Sequence, residues 1–407
     1  MNIDIAQLLL VLGLILILVK IFGEFFERIE MPSIFGDILV GIILGPLLGI
    51  IVISIATENS QLSTGYLIKI LADIGAIFLL FSIGFDKIDT GKILEYMKRA
   101  FPITILGALF PFMGGFLVSY IFSAQIFPPG DALRGSLLIG TALAATSIGV
   151  GARTLMDMKY ITTAAGSAVI ITAVVDNFIS LGFFTAIYSI IEQSKLSYSE
   201  VATSIIMITI FCIIIYLSGK YLFTALAEIL DKMMVEEAIF GVIIGVLFIF
   251  AYLSNVFGLH MIIGAFIFGA AIARVPRIKS DAVVHRVRGI SHGFFIPFFF
   301  VYIGLLFDFG AIATAGTYAI ALLFALIVFQ ITGGFLGGKI SKFSNRDALI
   351  IGTACIPRNE LALIIATTGL TLGLYGSDVF SAFVLLSIAT TIITPLMLRL
   401  LISKSVA

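Results

Sequence analysis

Asp176 lies in the run AGSAVIITAVVDNFISLGFFTAIYSI (165–190). About 20 apolar residues cross a bilayer, and the Asp176-Asn177 pair falls near the middle of this run. A carboxylate at that depth is costly unless it is protonated, paired or bound to a cation. The chemistry it offers is exchange, because one acid holds either a proton or a metal ion. The blander alternative is a neutral acid hydrogen-bonded between helices. Thr172 precedes Asp176 by one turn and can share its face, although a membrane threonine commonly bonds its own backbone. A second pair of intramembrane charges, Arg358 and Glu360, sits in ALIIGTACIPRNELALIIATTGL. At spacing i, i+2 they do not face each other on a regular helix. They act either as a mutually compensating staple of a broken helix or directly in ion coupling. Gln330, mid-span in LLFALIVFQITGGFLGG, bonds a neighbour or supports the acid. Asp73 and Asp37 lie near span ends, as interfacial caps or as members of an ion path.

Composition defines the elements that must carry these residues. The 407-residue chain is 60% hydrophobic and 12% charged, with a mean hydropathy of +1.19. Soluble domains hold about 25% charged residues, so the expected fold class is an all-α polytopic membrane protein. The formal net charge is zero and no basic block is long enough to suggest nucleic acid. Cys212 and Cys355 lie in apolar stretches, which makes a disulfide improbable. His260, His285 and His292 show no metal-ligand spacing, although His292 can titrate near neutral pH. With no Walker loop, nucleophile motif or paired carboxylates, neither an enzyme nor a bound cofactor is expected. Trp is absent, so an interfacial belt must rest on Tyr and Phe. The N-terminus lacks a basic n-region and reads as a first span rather than a signal peptide. The short tail after the last span is expected to leave no cytoplasmic sensing domain.

Apolar runs bounded by charges, Gly and Pro predict about thirteen spans. Their limits are 4–23, 33–55, 66–85, 100–123, 132–156, 161–190, 200–219, 237–256, 258–273, 289–307, 311–336, 347–372 and 376–402. With the N-terminus outside and the C-terminus cytoplasmic, the cytoplasmic segments hold all but Lys69, Arg134, Lys195 and Arg358 of the 24 Lys and Arg residues. The halves resemble each other. GDILVGIILGPLLG (36–49) and LADIGAIFLLFSIGFD (71–86) are matched by HMIIGAFIFGAAIAR (260–274) and SHGFFIPFFFVYIGLLFD (291–308). A linker span between the halves puts them in opposite orientations, and inverted repeats of this kind mark secondary transporters. The fifth and twelfth spans then correspond, and each carries a polar break: Thr146-Ser147 with Gly149, and Pro357-Arg358-Asn359-Glu360. Pro357 removes a backbone donor, and unwound backbone at this depth must line a cavity or be buried in protein.

The motifs MPSIFGDILVGIILGPLLG, LADIGAIFLLFSIGFD, ATSIGVGARTLMDM, AVVDNF, GAFIFGAAIAR, IPFFFVYIGLLFD and IPRNELALIIA recur in order along nearly the whole chain. Together they resemble the monovalent cation:proton antiporters, nearest the Nap/Kef branch. The resemblance implies two inverted repeats with crossed discontinuous helices and a homodimer. Residues 100–190 and 311–407 would form the ion-carrying core. Residues 1–99 and 237–310 would form the dimerisation scaffold, with 191–236 as the linker. The core would move against the scaffold as an elevator, exchanging Na+, Li+ or K+ for H+ in the cell membrane.

Departures from the family pattern sharpen this expectation. Relatives have Asp-Asp, Asn-Asp or Gln-Asp where this chain has Asp176-Asn177, and an amide does not titrate. Adjacent helix positions differ by about 100°, so the acid has moved around the helix. Gln330 stands where electrogenic members carry a lysine, and PRNE replaces the usual PRGE. The expected carrier of cation and proton is therefore Asp176, exchanging about 1:1 without net charge. Asn177, Thr146 and Ser147 would supply neutral oxygens suited to a hard cation. Gln330 would hydrogen-bond Asp176, and Arg358 with Glu360 would stabilise the crossing. A K+/H+ exchanger, a sodium-coupled symporter of organic anions and a non-transporting sensor are the alternatives.

Overall fold

The structure is a computed structural model that describes residues 5–29, 31–48, 64–86, 90–160, 163–192, 210, 238–257, 259–273, 281–358 and 360–403. These residues form helices and connections, with no strand among them. Among the described residues seven helices are long and apolar enough to cross a membrane, and shorter apolar helices lie between them. The expected linker span, 200–219, falls almost wholly outside the described residues.

The first half runs α1 (Ile5–Arg28), α2 (Ile34–Ile42), α3 (Thr64–Asp86), α4 (Thr90–Ile121), the short α5 (Ser123–Ile126), α6 (Ala132–Ala144), α7 (Ile148–Asp157) and α8 (Ala164–Glu192). The second half runs α9 (Ala238–Val256), α10 (Met261–Ile272), α11 (Asp281–Ile290), α12 (Ile296–Leu305), α13 (Ala311–Ile340), α14 (Asn345–Ala354), α15 (Glu360–Thr371) and α16 (Ser377–Ser403). α2 continues into a wide π turn, Ile43–Leu47, around Pro46, which has no N–H to give. α11 joins α12 through a similar turn, Ser291–Phe295, just before Pro297. α4 starts earlier than hydropathy predicts, because the polar stretch TGKILEYMKR continues the helix. The expected fifth span is two helices, α6 and α7, and the twelfth is α14 and α15.

Contacts divide the chain into two compact units. One comprises Met1–Gly23, Gly36–Ile88 and Tyr188–Leu305. Its helices pack at glycines that occur in matching pairs. A Cβ built on Gly41 would lie 2.1 Å from the Val301 carbonyl oxygen, and one on Gly304 would lie 2.1 Å from that of Ile38. This locks α2 to α12. The repeat-related contact locks α3 to α10: a Cβ on Gly84 would meet the Phe266 oxygen at 2.2 Å, and one on Gly269 that of Phe81 at 2.3 Å. Gly36 and Gly264 likewise abut the backbones of α1 and α9. Each blocking carbonyl lies three residues before the partner glycine, so the inverted repeat holds to the residue. Small residues are what allow such close backbone approach in membranes.

The other unit comprises Glu24–Phe35, Asp89–Ile187 and Leu306–Ala407. The same logic operates here. A Cβ on Gly140 would lie 2.8 Å from the Phe112 oxygen of α4, and one on Gly352 would lie 2.9 Å from the Ile331 oxygen of α13. α4 and α13 meet where Gly333 faces the Leu106 carbonyl. At the connection after α7, the Tyr160 hydroxyl donates to Asp347 Oδ1 at 2.5 Å, while Ser344 caps α14 and donates to Asp347 Oδ2 at 2.8 Å. Burial, reinforced by the bond to Asp347, pushes the Tyr160 phenol up to about 12. Arg346 closes the end of α16 by donating to the Leu401 and Ile402 carbonyls.

Candidate functional site

The glycine register that aligns Gly140 with Gly352 also aligns Thr146 with Arg358, and these two residues occupy the breaks. α6 ends at Ala144, and Ala145 is extended (φ −73°, ψ 110°). α14 ends at Ala354, and Pro357 prevents its continuation. Helix ends leave carbonyls and amides without partners inside the helix. Deep in a membrane those groups need others. The two breaks meet each other: the Ser147 N–H donates to the Pro357 carbonyl at 2.9 Å, and a Cβ on Gly151 would lie 2.2 Å from the Ala354 oxygen.

Arg358 holds the crossing together and is fully buried. Its Nε donates to the Leu143 carbonyl at 2.7 Å, across from the other broken helix. Nη1 donates to the carbonyls of Cys355 (2.7 Å), Ile356 (3.1 Å) and Pro357 (3.1 Å), and to Thr146 Oγ1 at 3.2 Å. Nη2 donates to Gln330 Oε1 at 2.5 Å. The C-terminal ends of α6 and α14 thus converge on one guanidinium, as their dipoles favour. The planar fork of donors suits this cluster better than a point charge would.

Asp176 sits beside the start of α7. The Thr146 N–H donates to its Oδ2 at 2.9 Å, an anion at a helix N-terminus. The Thr146 hydroxyl, which accepts from Arg358, reaches the same carboxylate. Thr146 therefore connects Asp176 to Arg358; the two charges form no direct ion pair within 4.0 Å but feel each other electrostatically. Only 2% of Asp176 is exposed, yet its Oδ1 has no hydrogen-bond partner among the described residues. The Thr172 hydroxyl, one turn earlier, has none either.

The structure brings Asp176, Thr146, Ser147, Gln330 and Arg358 together within one unit. Two expectations change in detail. Gln330, expected to bond Asp176, presents its oxygen to Arg358, since the guanidinium is a donor and an ionised carboxylate has no hydrogen to offer an amide oxygen. Glu360, expected to pair with Arg358, begins α15, where a carboxylate favours the positive helix end; the Arg358 donors go to the carbonyls, Thr146 and Gln330. Asn177 follows Asp176 on α8, but its side chain lies outside the described residues, as does Asn359. Asp73 occupies an exposed position on α3 in the first unit, within electrostatic reach of Tyr302. Among the described residues no group of three or more His, Cys, Asp or Glu side chains gathers to hold a metal.

Thr390 is the residue that sequence reasoning missed. Its Oγ1 accepts from the Arg358 N–H at 3.4 Å, the counterpart in the second repeat of the Thr146–Asp176 contact. The Gly140–Gly352 register pairs the Thr146 amide with that of Arg358, but carried to Asp176 it lands on Ile388, two residues short, so no sequence signal singled Thr390 out.

Two broken helices crossing at a buried acid and a buried guanidinium define a membrane ion carrier of the inverted-repeat class. The chain belongs to the sodium/hydrogen exchanger family, whose transmembrane domain matches residues 13–404; members are transporters rather than enzymes. It is 30% identical over 389 residues to the Na(+)/H(+)-K(+) antiporter GerN of Bacillus cereus, covering 95% of this chain and 94% of that one. It is 28% identical over 394 residues to a Na(+)/H(+) antiporter of Enterococcus hirae, covering 97% and 98%. The fold is similar to that of the sodium proton antiporter MjNhaP1 from Methanocaldococcus jannaschii, with a TM-score of 0.69, 18% identity and 99% of each chain covered.

Proposed function

We propose that the chain exchanges Na+ (or Li+) for H+ across the cell membrane, one for one, with Asp176 as the carrier of both. The observation that carries this reading is the half-satisfied carboxylate. Oδ2 is held by the Thr146 N–H, while Oδ1 is buried without a partner among the described residues. A buried ionised group in that condition is expensive, and a proton or a monovalent cation relieves it equally well. Neutral oxygens from Thr146, Ser147, Thr172 and Asn177 would complete the shell of a hard cation. Arg358 supplies a fixed positive charge that Thr146 relays toward the site. Because Gln330 brings no charge, only Asp176 changes protonation during the cycle, and the exchange is electroneutral. The relatives named as Na+/H+ antiporters support the substrate assignment. In this reading the unit that contains Asp176 moves against the other in a homodimer, as an elevator, with the N-terminus outside.

The test is dissipation of a pH gradient in proteoliposomes on addition of Na+, Li+ or K+, for wild type beside Asp176→Asn. The asparagine keeps an oxygen for the Thr146 N–H, so the fold is retained. Na+ should collapse the gradient in wild type alone. A response to K+ but not Na+ reassigns the cation, and a transport current in sealed vesicles overturns the one-for-one stoichiometry.

A further inference from the structure

Threonine hydroxyls along these helices commonly bond their own backbone, whereas those of Ser136, Thr172, Ser180, Ser387 and Thr394 in the unit that holds Asp176 are buried without a partner among the described residues. Of these, Thr172 and Ser180 flank Asp176 by one turn on α8. In the same unit, Thr141, Thr154, Thr332, Thr367 and Thr368 each donate to the carbonyl one turn back. Thr185, on α8 itself, donates to Leu181 at 2.7 Å. This is how a hydroxyl in a helix normally satisfies itself. Ser180 lies on the same helix, is fully buried, and has no partner among the described residues. It follows Asp176 by one turn, and i, i+4 residues share a face. Asp176 Oδ1 is also without a partner. Thr172, Asp176 and Ser180 thus lie in one i, i+4 row along α8, each with an unpartnered oxygen, and Ser180 stands on the opposite side of Asp176 from Thr172 along the helix.

Cβ atoms four residues apart on a helix lie about 5–6 Å from each other, and the Asp176 and Ser180 oxygens do not bond each other directly. Two bonds of about 2.8 Å each through one bridging oxygen span that distance. Serine also turns more freely about χ1 than a β-branched residue, so its hydroxyl can swing from its own backbone to such a partner. We propose that Ser180 is a specificity-determining residue of the transport site, holding one water of a partly hydrated monovalent cation against Asp176 Oδ1. The cation then keeps one water on this side while protein oxygens replace the others. This proposal rests on Asp176 being the ion carrier.

The experiment measures exchange in proteoliposomes and Na+-dependent thermal stabilisation of the full-length protein, for wild type, Ser180→Ala, Ser180→Thr and Asp176→Asn. Loss of one hydrogen bond in the cation-bound state corresponds to about a tenfold weakening. Ser180→Ala should raise the Na+ KM and the Na+ midpoint for stabilisation by about that factor with kcat little changed. Ser180→Thr should restore both. If the alanine protein does not fold, Ser180→Cys, which keeps the size but donates only weakly, makes the same test. A wild-type Na+ midpoint in the alanine or cysteine variant, with the response lost in Asp176→Asn, overturns the role of Ser180 and leaves Asp176 standing. Absence of any Na+ response in wild type overturns both.

Discussion

Replacing Arg358 by lysine separates the two things this residue does. Lysine keeps the positive charge near Asp176 but not the geometry. The arginine serves six acceptors: the carbonyls of Leu143, Cys355, Ile356 and Pro357, Thr146 Oγ1 and Gln330 Oε1. Lysine has three donors on a single nitrogen. It can stay with the cluster around Cys355, but it cannot also reach Leu143 and Gln330, which the arginine meets with different nitrogens. Two charge-assisted bonds at about 1.5–3 kcal/mol each give a loss of about 3–6 kcal/mol. Interhelical bonds measured in membranes are weaker, about 0.6–1.7 kcal/mol, so the expected destabilisation is about 3 kcal/mol. The charge is unchanged, so the Na+ KM should move by less than about tenfold, within one hydrogen bond's worth. Reversible unfolding in mixed micelles measures the first quantity and proteoliposome exchange the second. Stability within about 0.5 kcal/mol of wild type, the range of an ordinary surface change, would refute the view that the guanidinium fork joins the two broken helices. A large rise in KM without loss of stability would refute the separation of charge from geometry.

Competition at one carboxylate makes the apparent Na+ KM rise as pH falls; a KM independent of pH would mean that the cation and proton have separate sites. Gly41→Ala and Gly304→Ala each drive a methyl into a backbone carbonyl 2.1 Å away, and overpacking of this kind costs about 1–3 kcal/mol. Gly182→Ala on α8 meets nothing within 4 Å and should gain up to about 1 kcal/mol from helix propensity; melting curves of the three proteins rank them. Tyr160→Phe removes the bond to Asp347 and should lower stability by about 1 kcal/mol. The Tyr160 pKa is raised in the folded protein, to about 12, so its contribution is complete below the ordinary tyrosine pKa of about 10 and fades as pH rises through the folded value. The gap between wild type and Tyr160→Phe should therefore be constant from pH 6 to 9 in thermal melts.

Much of the site was legible in the chain because membranes make polarity conspicuous. Asp176 stands out in an apolar run, and the breaks announce themselves through Pro357 and through Thr146-Ser147. The partners of Arg358 were not legible, since most are backbone carbonyls, and every residue has one. Pairing by charge suggested Glu360, but the helix restarts at Glu360 and carries that side chain to its own N-terminus. The bond from Gln330 to Arg358 was hidden for a similar reason: residue type says that an amide will bond, not which neighbour wins. Helix packing was more readable than the hydropathy pattern alone suggests. Glycine spacings such as Gly36–Gly41 and Gly264–Gly269 place the close approaches of both repeats.

The repeats explain how a nearly symmetric scaffold acquires a directional chemistry. Backbone positions correspond closely: Thr146 with Arg358, Leu143 with Cys355, and the Thr146 and Arg358 amides each donating to a residue on a long helix. Symmetry at that level supplies two helix breaks and a set of freed carbonyls and amides, which by themselves favour no particular ion. The departures from symmetry lie in side chains. The amide of the first break meets Asp176, while that of the second meets Thr390. The first break carries a threonine where the second carries a guanidinium. On α4 and α13 the Phe112 and Ile331 carbonyls hold matching places against Gly140 and Gly352, which sets Gln330 against Pro111. One acid, one permanent cation and one neutral amide are thus enough to turn a paired scaffold into a site with a single titrating group. An arginine at Thr146 would duplicate the fixed charge, and an acid at Thr390 would add a second titrating group beside it. The one-for-one cycle proposed above depends on the chain having neither.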